Sequence, residues 1–241
     1  MSPIPRNRGV RDRDGGTHRQ RWHNDGVHPV DPDLFAAAPE VVAPRLLGLV
    51  VHHDGVGVRI SEVEAYAGER DPGSHGFRGR TPRNAALFGP PGTVYVYISY
   101  GIHRAFNLVC GPDGESGGVL VRAGEVVEGE AIARRRRGGD RREVALRLLA
   151  RGPGNLGQAL GVDLDLNGTP VTGREAQVRL TGPDGRTRLE YRSGPRVGVS
   201  GPGGDGTLYP WRFWLPDDPT VSAYRPAVAR RRAATSQHQP K

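Results

Sequence analysis

Of the 34 Lys and Arg residues in this chain of 241, only Lys241, the last residue, is a lysine, and Cys110 is the one cysteine. A single thiol excludes a disulfide framework and any metal site built from several cysteines. A single lysine at the far end leaves amine-nucleophile chemistry without a side chain, unless the N-terminal amine serves. No long apolar run occurs, so no membrane-spanning helix and no membrane partner are expected. The first residues are rich in Arg, Asp and Gly and carry no apolar segment. A secretory signal is therefore not expected, and the expected location is the cytoplasm, on the nucleoid if the source is bacterial.

What is present points elsewhere. Apolar residues make up only 36%, against 36 glycines and 21 prolines, a balance that suits a loop-rich α+β or β domain. The formal charge is +8, which favours a polyanionic partner, nucleic acid above all, although a surplus kept for solubility reads equally from charge alone. Polar, mixed-charge ends define a disordered N-terminal arm at 1–30 and a basic tail at 226–241, around one domain at 31–225.

Within that domain, Pro39–Leu47 reads as a short helix made irregular by Pro44. VGVRISEVEAY, 56–66, alternates as a strand. Thr81-Pro82 resembles an N-cap and first helical position. Residues 93–100 and 118–123 read as strands, the segment after Val126 and residues 144–150 as helices, and RGPGNLGQALGV as a Gly-Pro loop opening a helix. Short strands are expected around 177–180, 189–191 and 212–214.

Strict alternation puts Val58, Ile60, Glu62, Glu64 and Tyr66 on one face, an apolar face that turns into carboxylates. Such a carboxylate is either a general base in a half-buried pocket or a strand end reaching water, and parity does not choose between Glu62 and Glu64. His52 and His53 are adjacent and point to opposite faces, and His75 is alone in its loop, so no metal site is expected. Tyr95 and Tyr97 share a face, with cross-strand packing as the simplest reading. Tyr100 has the opposite parity and precedes Gly101, which places a large ring at a strand tip, suited to wedging into a base stack. Asn107 offers an amide. Arg122, among small and apolar residues, needs an anion such as Glu64 or a phosphate, or else sits at a wet rim.

EVEAY at 62–66, His75, TPRN at 81–84, PGTVYVYISYG at 91–101, Asn107, LVRA at 120–123, GPGNLGQALGV at 152–162 and PWRF at 210–213 occur in an order that resembles the alkyladenine (3-methyladenine) DNA glycosylase family, over residues 32–225. The resemblance implies a single α+β domain with a curved, mainly antiparallel β-sheet, flanking short helices and a protruding β-hairpin that enters the minor groove. It implies a hydrolase that flips 3-methyladenine, hypoxanthine or ethenoadenine from double-stranded DNA and breaks the N-glycosidic bond; the lone lysine adds the expectation of a monofunctional enzyme, no cofactor or metal is expected, and nothing suggests more than a monomer. By the same resemblance, Glu64 activates water and Arg122 places it. Tyr66, His75 and Tyr97 sandwich the base, and Asn107 lines the pocket against guanine's amino group. Tyr100, with Ile102 and His103 at the tip, enters the duplex. Gly124 in AGEV, Asn155 and loop 110–118 depart from the family pattern. A noncatalytic binder of damaged DNA would use the same pocket.

Overall fold

Two eleven-residue strands carry the architecture. β3 (Val56–Tyr66) and β6 (Gly118–Glu128) pair antiparallel along almost their whole length. The computed structural model describes residues 27–139, 143–174, 176–183 and 189–227. Residues 1–26 of the expected arm and 228–241 of the expected tail lie outside these. Val27–Pro29, assigned to the arm from sequence, instead form strand β1, paired with β8 (Arg179–Pro183).

The other strands are β2 (Val50–His53), β4 (Val94–Ser99), β5 (His103–Val109), β7 (Ala150–Arg151), β9 (Arg192–Gly194) and β10 (Arg212–Trp214). They complete one curled antiparallel sheet in the order β1-β8-β2-β3-β6-β5-β4, with β7 on β6 and β10 between β3 and β9. Three short helices flank it: α1 (Pro39–Leu46), α2 (Glu130–Arg136) and α3 (Pro153–Leu160). The α+β class, the single curved sheet and the projecting hairpin, β4–β5, are as the sequence led us to expect. Among the described residues no helix is long and apolar enough to cross a membrane.

The strict alternation assumed for β3 does not hold. Val58 and Ile60 lie in the core, but so do Val63 and Ala65. The β3–β6 register is irregular between Ile60 and Val63, opposite Gly124 to Val121. A bulge of this kind turns the strand and re-aims its side chains. Core-facing positions change from even to odd, so Glu62, Glu64 and Tyr66 face away from the core rather than continuing the row of Val58 and Ile60. Gly124 belongs to this irregularity: a Cβ there would stand 2.4 Å from the Arg59 carbonyl oxygen. That contact is the physical reason for glycine at a position where the resembled family differs.

Helix α3 braces the hairpin. A Cβ on Gly157 would lie 2.2 Å from the Arg104 carbonyl, so glycine lets the helix rest on the β5 main chain. Asn155 turns inward, its Nδ2 donating to Arg151 O at 2.7 Å.

Several expected helices are shorter. Thr81 does not cap one: the Asn84 amide oxygen accepts from the Thr81 N–H at 2.6 Å and from its hydroxyl, and only a 3₁₀ turn, Ala85–Phe88, follows. Residues 144–150 form a 3₁₀ turn, Leu146–Leu148, before β7. Val126 to Glu128 extend β6, and left-handed Gly129 separates them from α2. Three of the four arginines at 134–137 reach main-chain carbonyls: Arg134 that of Val144, Arg136 that of Ala159 and Arg137 that of Leu149.

Candidate functional site

The carboxylates on β3 differ in how fully they are occupied. Both are completely buried. Glu62 Oε1 accepts from Arg122 Nε at 3.0 Å, Arg212 Nε at 2.7 Å and Ser222 Oγ at 2.9 Å, and Oε2 accepts from Ser222 N–H at 2.7 Å. A carboxylate has about four lone-pair sites, and Glu62 meets four donors, three of them on Oε1 and one on Oε2. Burial alone would raise its pKa, but the Arg122 and Arg212 guanidiniums and the Ser222 N–H outweigh that and hold it below the usual carboxylate range. Glu64 accepts only three bonds, from Val197 N–H at 2.7 Å on Oε1 and from the Tyr66 hydroxyl at 2.8 Å and Arg122 Nη1 at 3.2 Å on Oε2. One acceptor direction of Glu64, on Oε1, remains open.

Arg122 thus bridges two acids rather than sitting at a wet rim. It is 6% exposed. Burial by itself would lower its pKa, but Glu64 and Glu62 raise it above the usual arginine value, so it stays charged. The Tyr66 phenol is pushed well above its usual pKa by burial and by the neighbouring Glu64. It remains a hydroxyl that donates to that carboxylate.

These groups back a cleft of about 470 Å³, a size within the range of small-molecule sites. Tyr66, His75, Tyr97, Tyr100, Asn107 and Arg122 all line it. Glu64 stands behind the wall, touching the lining through Tyr66 and Arg122. Ile102 and His103 line a different depression, together with Arg104 and Asp163.

His75 and Tyr97 touch, with ring centroids 4.5 Å apart and planes at 70°, which leaves no room for a flat ligand between those two. His75 Nδ1 is 3.0 Å from the Tyr95 hydroxyl. Loss of solvation, then the nearby Arg83 guanidinium, hold the imidazole pKa below its ordinary value. Tyr95, 2% exposed, packs as the sequence suggested and also orients His75. Burial pushes the Tyr97 phenol up to about 12. Both Asn107 amide hydrogens are committed, to Tyr95 O at 3.0 Å and Ala105 O at 3.2 Å. Its Oδ1 is the polar atom left for the cleft.

Tyr100 is 91% exposed with φ of 51°, followed by Gly101 at 75°. The Ile102 N–H donates to Ser99 O at 3.2 Å, closing a tight turn whose two central residues are both left-handed. Such turns favour Asn, Asp and Gly. A tyrosine there is strained, and its ring projects into solvent.

Sequence reading missed the backbone N–H of Val197, the residues Ser222 and Arg212 that hold Glu62, and the pair Asp71–Arg196. A main-chain donor has no residue signature, and Ser222 lies 160 positions from its partner. Only PWRF, which contains Arg212, stood out, and without an assigned role.

A model of the methylpurine-DNA glycosylase family matches residues 33–219. A Corynebacterium glutamicum (strain R) protein named "Putative 3-methyladenine DNA glycosylase" is 51% identical over 200 residues, covering 83% of this chain and 89% of that protein. Proteins of the same name from Corynebacterium efficiens and Streptomyces avermitilis are 51% and 48% identical, covering 82% and 85% of this chain and 96% and 95% of theirs.

Proposed function

Because this chain belongs to the methylpurine-DNA glycosylase family, we propose that it is a DNA glycosylase that releases alkylated or deaminated purines from duplex DNA by hydrolysis. The observation that carries this reading is the open acceptor of buried Glu64 beside Arg122 and Tyr66. A water bound there gives its proton to the Glu64 carboxylate as its oxygen attacks the sugar C1′. The C1′–N bond breaks and its electron pair leaves with the base. A cationic base such as 3-methyladenine departs neutral. Hypoxanthine also needs a proton.

The flipped base lies with Tyr66 on one side and the touching His75–Tyr97 pair on the other, worth roughly 1–3 kcal/mol per base of stacking. Asn107 lines the same cleft. An acceptor oxygen would by itself attract guanine's amino group, so exclusion of guanine rests on space. The protein works as a monomer from the minor-groove side.

Tyr100 fills the position the base vacates. The strained turn supports this role, because Asn or Gly would fit the backbone better and only the exposed ring gains from tyrosine. Tyr100→Asn is expected to raise stability by about 1 kcal/mol yet slow base release from duplex roughly tenfold or more, since flipping costs a few kcal/mol. Release from a single strand, which has no vacancy to fill, stays near the wild-type rate. Equal slowing on both substrates would remove Tyr100 from the duplex-opening step.

The test of the function is single-turnover base release from duplexes carrying one 3-methyladenine, hypoxanthine or ethenoadenine. Release is expected with strand breaks appearing only after alkali, because no lysine occurs among the described residues to form a Schiff base. Breaks without alkali would overturn the monofunctional mechanism. Tight lesion binding with no release would favour the noncatalytic binder.

A further inference from the structure

Among the described residues Arg196 is the largest fully buried side chain. Its guanidinium grips Asp71 with two bonds, Nη1 to Oδ2 at 2.5 Å and Nη2 to Oδ1 at 2.7 Å. The same two nitrogens donate to Ala65 O at 2.8 Å and Gly203 O at 2.7 Å. The guanidinium also lies 4.6 Å from the centroid of the Tyr66 ring, with Trp211 at 5.5 Å and Tyr209 at 5.8 Å.

Asp71 in turn accepts from the Ala67 N–H at 3.2 Å and the Gly73 N–H at 2.8 Å, which shapes the loop that leads to His75. The residue after Arg196 is Val197, whose N–H donates to Glu64. One guanidinium therefore joins three pieces of the cleft: the end of β3 that carries Glu64 and Tyr66, the loop that carries His75, and the 197–200 segment. An ion pair so deeply buried is weak evidence for stability, because desolvating both charges offsets their attraction. What the planar fork supplies is geometry: several main-chain and side-chain partners held in one plane at once.

We infer that Arg196, with Asp71, is a positioning residue for hydrolysis: it holds the Val197 N–H against Glu64 Oε1 and the Tyr66 ring against the cleft, and so aims the open acceptor of Glu64. This rests on the proposed role of Glu64. Ammonium in place of guanidinium keeps the charge beside Asp71 but cannot serve Asp71, Ala65 and Gly203 in one plane.

The test uses the full chain, well below the melting temperature of each variant. Single-turnover release from a hypoxanthine duplex is measured beside affinity for a duplex whose hypoxanthine sits on a cleavage-resistant 2′-fluoro sugar. Arg196→Lys is expected to slow release by about 10- to 100-fold, the cost of a reacting group misplaced by about an ångström, with affinity changed far less. The charge-balanced pair Asp71→Leu/Arg196→Met removes both buried ions together, so neither is left as an orphaned charge. It is expected to be slower than Arg196→Lys. Wild-type release rates in both variants, while Glu64→Gln is inactive, would overturn the positioning role alone. Undiminished release by Glu64→Gln would overturn it together with the proposed mechanism. Equal losses of rate and affinity would also overturn it, showing that the pair only maintains the cleft.

Discussion

Glu64→Gln is expected to slow single-turnover base release by roughly 100- to 10,000-fold, the usual worth of a general base, with lesion affinity largely kept. The amide has the same length, and its oxygen still accepts from the Val197 N–H. It has no basic lone pair to take the water's proton, and its NH₂ group faces the donors of Tyr66 and Arg122, which now lack an acceptor. The variant also removes one negative charge from a balanced set. Glu62, Glu64 and Asp71 face Arg122, Arg196 and Arg212, and all six are buried. Some loss of stability is therefore expected with the loss of rate. Release within about tenfold of wild type, well below the effect expected of a general base, would exclude Glu64 as the base.

Glu62→Gln removes the same charge two residues away and separates the two effects. Its carboxylate already meets four donors, and of the residues that supply them only Arg122 lines the cleft, so no water-activating role is expected of it. What it does is compensate Arg122 and Arg212 and fasten the Ser222 segment to the sheet. Leaving a buried charge uncompensated costs about 3–5 kcal/mol, a large share of the 5–15 kcal/mol typical of a folded domain. The expected result is a large drop in urea midpoint, with base release at low temperature much less affected than in Glu64→Gln.

Acid gives a second reading of the same residue. Its folded pKa is depressed, so its contribution is complete above the unfolded value of about 4.3 and is lost as pH falls through the lower folded value. The stability gap between wild type and Glu62→Gln should therefore be full at neutral pH and shrink in strong acid. A gap that does not narrow at all as pH falls progressively below the unfolded value of about 4.3 would show that the charge of Glu62 is not what stabilises the fold.

The primary structure by itself determined a good deal. The position of the one lysine, Lys241, led to the expectation of a monofunctional enzyme. The ordered blocks from EVEAY to PWRF gave the family, the curved sheet and the set of residues around the cleft. Gly101 after Tyr100 marked the hairpin tip, because a tight turn leaves its signature in local backbone preference. Strand parity did not choose between Glu62 and Glu64; only the family resemblance pointed to Glu64. What surrounds each carboxylate was not legible, because apart from the nearby Tyr66 hydroxyl the donors come from β6, β10, Ser222 and the Val197 N–H, segments 58 to 160 residues away. The alternation rule failed at Ser61–Glu62 for a related reason, since the irregularity belongs to the β3–β6 pair and to the approach of Gly124 to Arg59. The Asp71–Arg196 pair, 125 residues apart, left no local pattern at all. Local preference is written in neighbouring residues. Saturation of a buried charge is decided only when distant strands close around it.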